Sequence, residues 1–159
     1  MIDLILTNPA VLDDLTHFVD RITNPTAQIT SQIEDAVRAG FAENFANESA
    51  GGVAWEELAA YTMLDRLNKG FPAAHPILVR TGDYRASFVD SGDPDALSDY
   101  FVTGDGWALK IGSNDSRVDD LEGGTSGPPT IPARPATILS AASENNVFDV
   151  IERLLASLI

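Results

Sequence analysis

The strongest constraint on the fold is a series of apolar residues that recur every four positions between residues 28 and 49. This spacing places them on one face of a helix, which must pack on another element to be stable. The small side chains of Ala36 and Gly40 beside that face permit close approach of a neighbouring element. The apolar series is Ile29, Ile33, Val37, Phe41 and Phe45.

The N-terminal third of the chain predicts further helices and one strand. Residues 1–7 alternate between apolar and polar, as in a short strand. Asn8 followed by Pro9 is typical of a helix start. The helix that follows has an apolar face consisting of Leu12, Leu15, Phe18, Val19 and Ile22. After the break at 50–52, we predict another helix over residues 55–68, with Trp55, Leu58, Ala59 and Thr62 on one face.

The rest of the chain predicts strands, a long loop and a last helix. Residues 75–92 indicate extended chain with a turn or short helix near 81–87. Residues 98–113 are typical of a β-hairpin turning at Asp105-Gly106. We expect an extended Gly/Pro loop over 113–136 and a helix over 143–159. The apolar face of that helix consists of Val147, Phe148, Ile151, Leu154, Leu155 and Leu158.

These patterns predict one α+β domain over residues 1–159. Several helices, including the C-terminal one, would pack on one small antiparallel sheet, and a long Gly/Pro loop would lead into the last helix. A chain of 159 residues is long enough to bury a core of its own.

The charge of the chain bears on its partners. It has 24 acidic and 10 basic residues, a net charge of −14, which argues against binding to nucleic-acid phosphates. The charge favours solubility. Alternatively, it could form an acidic surface along which DNA passes without binding. The absence of cysteine excludes disulfides and thiolate metal sites. With no basic start and no apolar run of about 20 residues, we expect a soluble protein made in a cytoplasm.

The sequence provides little for catalysis or metal binding. His17 has carboxylates nearby on its helix, His75 precedes a proline, and residues 119–122 form an acidic cluster expected in a loop. Solvated surface charge explains each of them without a metal ion, so we predict neither a metal nor a cofactor. The stretch 88–92, "FVDSG", resembles the turn of aspartic proteases, with Asp90 as the candidate. The acidic residues directly after it argue against that match.

The segment "IPARP" stands out in the long loop because Arg134 lies between two prolines. Pro132 and Pro135 fix their own φ angles and favour extended geometry in the preceding residues. The segment therefore loses less conformational entropy when it makes a contact. We expect the guanidinium of Arg134 to bind a carboxylate, within the subunit or on a neighbour, and Arg134→Ala to weaken assembly while leaving the fold intact.

Several short motifs occur in a fixed order along most of the chain. They are "F..NF", "GG..W..L...T", "ILVRTGDYRASF", a hairpin ending in "IGS", a Gly-rich loop with "IPARP", and a C-terminal helix. From about Gln28 onward this order resembles the phage virion morphogenesis family, which includes the Mu-type and P2-type tail completion proteins. The chain departs from that pattern at "LEGG", at Ala136 and in its longer N-terminal segment. The motif residues are Trp55, Leu58, Leu78, Thr81, Gly82, Arg85, Ser87, Gly124 and Ile131 to Pro135.

The resemblance implies a structural virion protein in the neck of a tailed phage. Its subunits would form a homo-oligomeric ring, a hexamer, at the head–tail junction. The ring would contact the tail tube and the head-completion or connector proteins, and DNA would pass through without specific binding. The protein would be assembled in the host cytoplasm, without a membrane. The candidate interface residues are Ile131, Pro132, Arg134, Pro135, Phe41, Phe45, Leu155 and Leu158.

Other functions are compatible with the sequence. A tail terminator ring that caps the tail tube differs from a completion protein only in its partners. An acidic DNA-mimic inhibitor would remain a monomer or dimer and block a nucleic-acid enzyme. The third alternative, an aspartic protease, would depend on Asp90.

Overall fold

The computed structural model describes residues 17, 19–20, 23, 25–103, 106–127 and 130–157. The strand predicted over residues 1–7 and the helix start at Asn8 lie outside the described residues, and so do Asp105 and Leu158. Residues 17, 19, 20 and 23 are helical, in agreement with the helix predicted there. None of the helices in the described part is long and apolar enough to cross a membrane.

Five helices and four strands with defined bounds make up the described part of the chain, and the predicted α+β class is confirmed. The strands pair as two separate antiparallel hairpins, β1 with β2 and β3 with β4. In chain order the elements are α1 (Ala27–Asn47), β1 (Ser49–Ala50), β2 (Val53–Ala54), α2 (Ala60–Asn68), α3 (Asp83–Val89), β3 (Ala96–Thr103), β4 (Gly106–Ser113), α4 (Val118–Gly123) and α5 (Ala141–Ala156).

Helix α1 is the central element, as its apolar spacing predicts. The Thr26 side chain caps its start by accepting a hydrogen bond from Ile29 N, and the helix ends where Glu48 adopts a left-handed φ of 49°. Phe41 and Phe45 of α1 are each 3% exposed. They form the middle of an aromatic cluster with Trp55, Tyr84 and Phe88. The ring centroids in this cluster are 5.2 to 6.1 Å apart, mostly in edge-on contacts.

The C-terminal helix α5 packs on α1 at a glycine. A side-chain carbon added at Gly40 would lie 2.6 Å from Leu139 Cδ2 and 3.1 Å from Ser143 Cβ. The expected close approach at Gly40 is therefore confirmed. Ser140 caps the start of α5 by accepting a hydrogen bond from Ser143 N, so α5 starts two residues before the predicted Ser143.

A buried arginine ties α1 to the elements on its other side. Arg38 is 4% exposed and its guanidinium donates to Phe88 O at 2.7 Å and to Leu97 O at 3.0 Å. Its Nε donates to Glu34 on the preceding turn. These bonds join α1 to the end of α3 and to β3. Their acceptors are backbone atoms far away along the chain, so no local sequence pattern indicates these bonds.

Two local predictions are wrong. The helix predicted over 55–68 begins only at Ala60, and residues 55–59 are not helical. The segment 113–136 is not a structureless loop, because it contains α4 and an antiparallel bridge between Thr125 and Ile131. The acidic residues 119–122 therefore lie in a helix. In both places the chain is held by contacts with distant residues, which are described next.

Candidate functional site

Arg134 is buried within its own subunit. The residue is 4% exposed, and its guanidinium donates to Glu56 O at 2.8 Å and to Glu57 O at 2.9 Å. Burial lowers the pKa of Arg134, while the negative charges of Glu56 and Glu57 oppose that shift. The expected contact that orders the loop is present, but the acceptors are backbone carbonyls and not a carboxylate. These bonds also keep residues 56–57 out of a helix.

The chain around Arg134 is fixed by further backbone bonds. Arg134 N donates to Leu121 O at 2.7 Å, and Thr125 N donates to Ile131 O at 2.8 Å. Gly124 has φ of 71°, and a side-chain carbon there would lie 2.7 Å from Ile131 O, so the position requires glycine. Trp55 Nε1 donates to Pro135 O at 3.1 Å. The "IPARP" segment is thus part of the folded chain, and hydrogen bonds join it to α4 and to residues 55–57.

A groove of about 300 Å³ lies beside this segment, bounded by α2, the start of α3, α4 and residues 130–134. Arg66, Arg80, Arg117 and Arg134 line it, and no acidic residue is among its lining residues in the described part of the chain. We call it the arginine groove. Its apolar walls are formed by Leu58, Ala59, Tyr61, Leu78, Tyr84, Leu121, Ile131 and Pro132.

The four arginines are held in different ways. Arg66 donates to Ala74 O and Pro76 O, and is 3% exposed. The half-exposed Arg80 lies over the Phe71 ring, 5.8 Å from its centroid. Arg117 forms a two-point ion pair with Asp115 and lies over the Tyr84 ring. That pair lowers the pKa of Asp115 and raises the pKa of Arg117. Two of the guanidiniums are therefore buried, and two reach the mouth of the groove.

Two polar atoms of the groove-lining residues have no partner. Among the described residues, Arg66 Nε and the Tyr84 hydroxyl oxygen are buried without a hydrogen bond. Tyr84 is 2% exposed, and burial raises its pKa well above the usual range. The hydroxyl therefore stays protonated and can donate. Buried donors without acceptors are rare in folded proteins, because each costs about 1–3 kcal/mol.

Apolar side chains are exposed on three different elements. On α2, Tyr61 is 62% exposed and is accompanied by Leu64 and Leu67. On the β3–β4 hairpin, Val102 is 65% exposed and is accompanied by Tyr100 and Phe101. On α5, Phe148 is 60% and Leu155 is 41% exposed. Exposed apolar side chains gathered in this way are typical of contact surfaces.

The predicted interface residues that the structure describes lie in different environments. Phe41 and Phe45 are core residues, so their assignment to a subunit interface is wrong. The aromatic cluster within the chain covers the apolar face of α1 on which they lie. Ile131 and Pro132 line the arginine groove, and Leu155 is exposed, so these three stay candidates. Pro135 is half-buried beside Trp55.

The remaining motif residues lie around the groove or beneath it. Leu58, Leu78 and Thr81 line it, and Gly82 precedes α3 with φ of 98°, which favours glycine. Ser87 is fully buried, donates to Tyr84 O and accepts from Ser113 Oγ. Arg85 is exposed on α3. Sequence reasoning missed Arg66, Arg80 and Arg117, because their meeting depends on segments that are distant along the chain.

The candidate catalytic and metal residues are dispersed. Asp90 is exposed, and its carboxylate accepts a hydrogen bond from Gly92 N in the turn after α3. His75 forms a hydrogen bond with Glu48, and Glu122 accepts from Ala136 N and from Thr137. Within the described residues there is no group of three metal-ligating side chains.

Comparison with known proteins identifies no relative. No family model matches this chain, and no curated protein or solved structure is significantly similar to it. The arginine groove and the exposed apolar faces are therefore the features from which a function is argued.

Proposed function

We propose that this chain is a structural virion protein of a tailed phage, a tail completion protein that forms a ring at the head–tail junction. The observation that carries the proposal is that one subunit presents a groove and three exposed apolar faces on different elements. A ring of identical subunits needs such a pair of different surfaces, since each copy binds the next head to tail.

The residues behind the family resemblance support the proposal because the fold brings them together. Leu58, Leu78, Thr81, Ile131 and Arg134 come from three separate motifs, and all line the arginine groove. Trp55 is bonded to the same "IPARP" segment. The motifs are thus parts of one assembled surface of the subunit.

The proposal specifies partners and a use for the charge. Further copies of the chain would form the ring, a hexamer, between the tail tube and the head-completion or connector proteins. The net charge of −14 would keep the passing DNA from binding to the wall of the channel. In this role the chain is not an enzyme. It is assembled in the host cytoplasm and resides in the virion.

Two alternatives share some of this support. A tail terminator ring on the tail tube would use the same surfaces with different partners. The net charge also favours an acidic DNA-mimic inhibitor, which would stay a monomer or dimer. An aspartic protease on Asp90 has no such support, because Asp90 caps an exposed turn.

The experiment that tests the proposal is the composition and imaging of phage particles. We expect the chain to be present in purified virions and an antibody against it to label the neck. A particle preparation that lacks the chain would refute the proposal, and label at the tube end of isolated tails, before heads attach, would favour the terminator.

A further inference from the structure

The arginine groove is lined by basic side chains, whereas the chain as a whole is acidic. Of 10 basic residues, four line this one groove, while none of the 24 acidic residues is among its lining residues in the described part of the chain. The walls between the arginines are apolar. Such a groove fits a ligand that combines apolar anchors with carboxylates.

The unpartnered donors in the groove indicate the same chemistry. Arg66 Nε and the Tyr84 hydroxyl are both in residues more than nine-tenths buried, and both lack an acceptor among the described residues. Arg80, about half exposed, is loosely held at 3.8 Å from Asp65. The two buried donors show that the groove can accept a polar group, and Arg80 at its mouth can attract a carboxylate.

The outer face of α5 carries the matching groups. Phe148 and Leu155 are exposed, with the half-buried Ile151 between them and with Glu144 and Glu152 exposed alongside. At about 100° per residue, these five lie within roughly a quarter-turn of one another around the helix. The spacing i, i+3, i+7 is that of helices that bind in grooves.

The subunit cannot cover this face with its own α1. Ser143, which lies about 140° around the helix from Phe148, donates to Glu43 of α1 and packs against Gly40. The contact with α1 therefore occupies the opposite side of α5.

We propose that the arginine groove of one copy binds the outer face of α5 of the next copy. This contact rests on the proposed function and identifies the two surfaces that close the ring. Phe148 and Leu155 enter between the apolar walls, while Glu152 and Glu144 meet Arg80 and Arg117 at the mouth. Groove and helix are different surfaces, so the contact is head to tail.

The test uses two full-length variants that each lose one surface. Arg80→Glu reverses the charge at one position of the groove and leaves α5 intact. Phe148→Asp places a charge on the apolar outer face of α5 and leaves the groove intact. Arg80 is about half exposed and Phe148 is 60% exposed, so the thermal unfolding temperatures should stay near that of the wild type, which verifies folding. Lys110→Glu and Val53→Asp are matched exposed controls outside both surfaces.

We expect the wild type and both controls to associate in solution, measured by light scattering, and each single-surface variant to be monomeric. A one-to-one mixture of the two variants should form a dimer and stop there, because it contains one intact groove and one intact helix per pair. The double variant Arg80→Glu with Glu152→Arg should regain association. Three results would overturn the contact. Both single variants could still associate as the wild type does, the mixture could stay monomeric, or the wild type itself could be monomeric.

The particle distinguishes this contact from the proposed function. If both single variants still enter the neck of virions, the groove–helix contact is wrong and the neck assignment stands. If the mixture dimerises but the wild-type chain is absent from virions, the contact stands and the neck assignment is wrong.

Discussion

Arg134 determines the course of two segments that are far apart in the sequence. Its bonds to Glu56 O and Glu57 O span 78 and 77 residues, and they hold in a non-helical form a stretch whose composition favours a helix. Because the acceptors are backbone atoms, a change at residues 56 or 57 would leave the bonds intact. The loss of the guanidinium would not.

Replacement of Arg134 by alanine should therefore destabilise the fold, contrary to the expectation from sequence that the fold would stay intact. The hydrogen bonds from the buried guanidinium to Glu56 O and Glu57 O are lost, and we expect the free energy of unfolding to fall by about 2–4 kcal/mol. Arg134→Lys should recover only part of this, because lysine lacks the planar fork. Urea unfolding provides the measurement, with the exposed Arg85→Ala as the control. Equal stability of the Arg134 and Arg85 variants would contradict this role.

The ion pair of Asp115 with Arg117 makes stability depend on pH. The hydrogen bonds from Arg117 lower the pKa of Asp115 from 3.8, so the ionised carboxylate stabilises the folded state at pH values above 3.8. That contribution is lost as the pH falls through the lower pKa of the folded state. The stability gap between the wild type and Asp115→Asn should be constant at neutral pH and shrink below 3.8. A stability difference that persists in strong acid would show that the charge of Asp115 does not contribute to it. Asp119→Asn, at an exposed position, serves as the control.

The helices α1 and α5 meet through Gly40, where an added side-chain carbon would lie 2.6 Å from Leu139. Gly40→Val should force the two helices apart and lower the free energy of unfolding by about 1–3 kcal/mol through overpacking. In helix propensity alone, valine is better than glycine and worse than alanine, so Ala39→Val, at an exposed position of the same helix, gives the cost of valine without the packing conflict. If Gly40→Val is at least as stable as the wild type in thermal unfolding, α5 does not pack on Gly40.

The elements that the sequence predicts well are those with long, local patterns. The four-residue spacing from Ile29 to Phe45 indicates α1, the turn pair between strands indicates the β3–β4 hairpin, and the apolar series after Ser143 indicates α5. The elements predicted wrongly depend on distant partners. Residues 55–59 have a helical pattern, but hydrogen bonds with Arg134 and Pro135 hold them in a non-helical form. The Gly/Pro composition of 113–136 conceals α4, which is fixed by the bond between Arg134 N and Leu121 O.

The candidate site was predictable only in part for the same reason. The sequence indicates a stiff segment with a rare basic residue at Ile131, Pro132 and Arg134. All three residues line the groove. Arg66, Arg80 and Arg117 carry no local signal, since each is an isolated arginine in its own segment. Phe41 and Phe45 show the converse, because a regular apolar face predicts burial without indicating which element covers it.

The whole chain combines a buried aromatic core with a groove and with exposed apolar side chains on several elements. The arginine groove lies beside residues 130–134, and the outer side of α5 faces away from α1. In the proposed ring, the exposed apolar residues of α2 and of the β3–β4 hairpin would be available to other partners, such as tube or connector proteins. A ring that joins two different structures needs this surplus of surfaces, since each subunit has neighbours on several sides.

A three-dimensional reconstruction of the neck of the virion that contains this chain tests the proposed function. We predict a closed ring of copies at the head–tail junction, with α5 of each copy seated in the arginine groove of the next. A neck built without this chain would contradict the proposal.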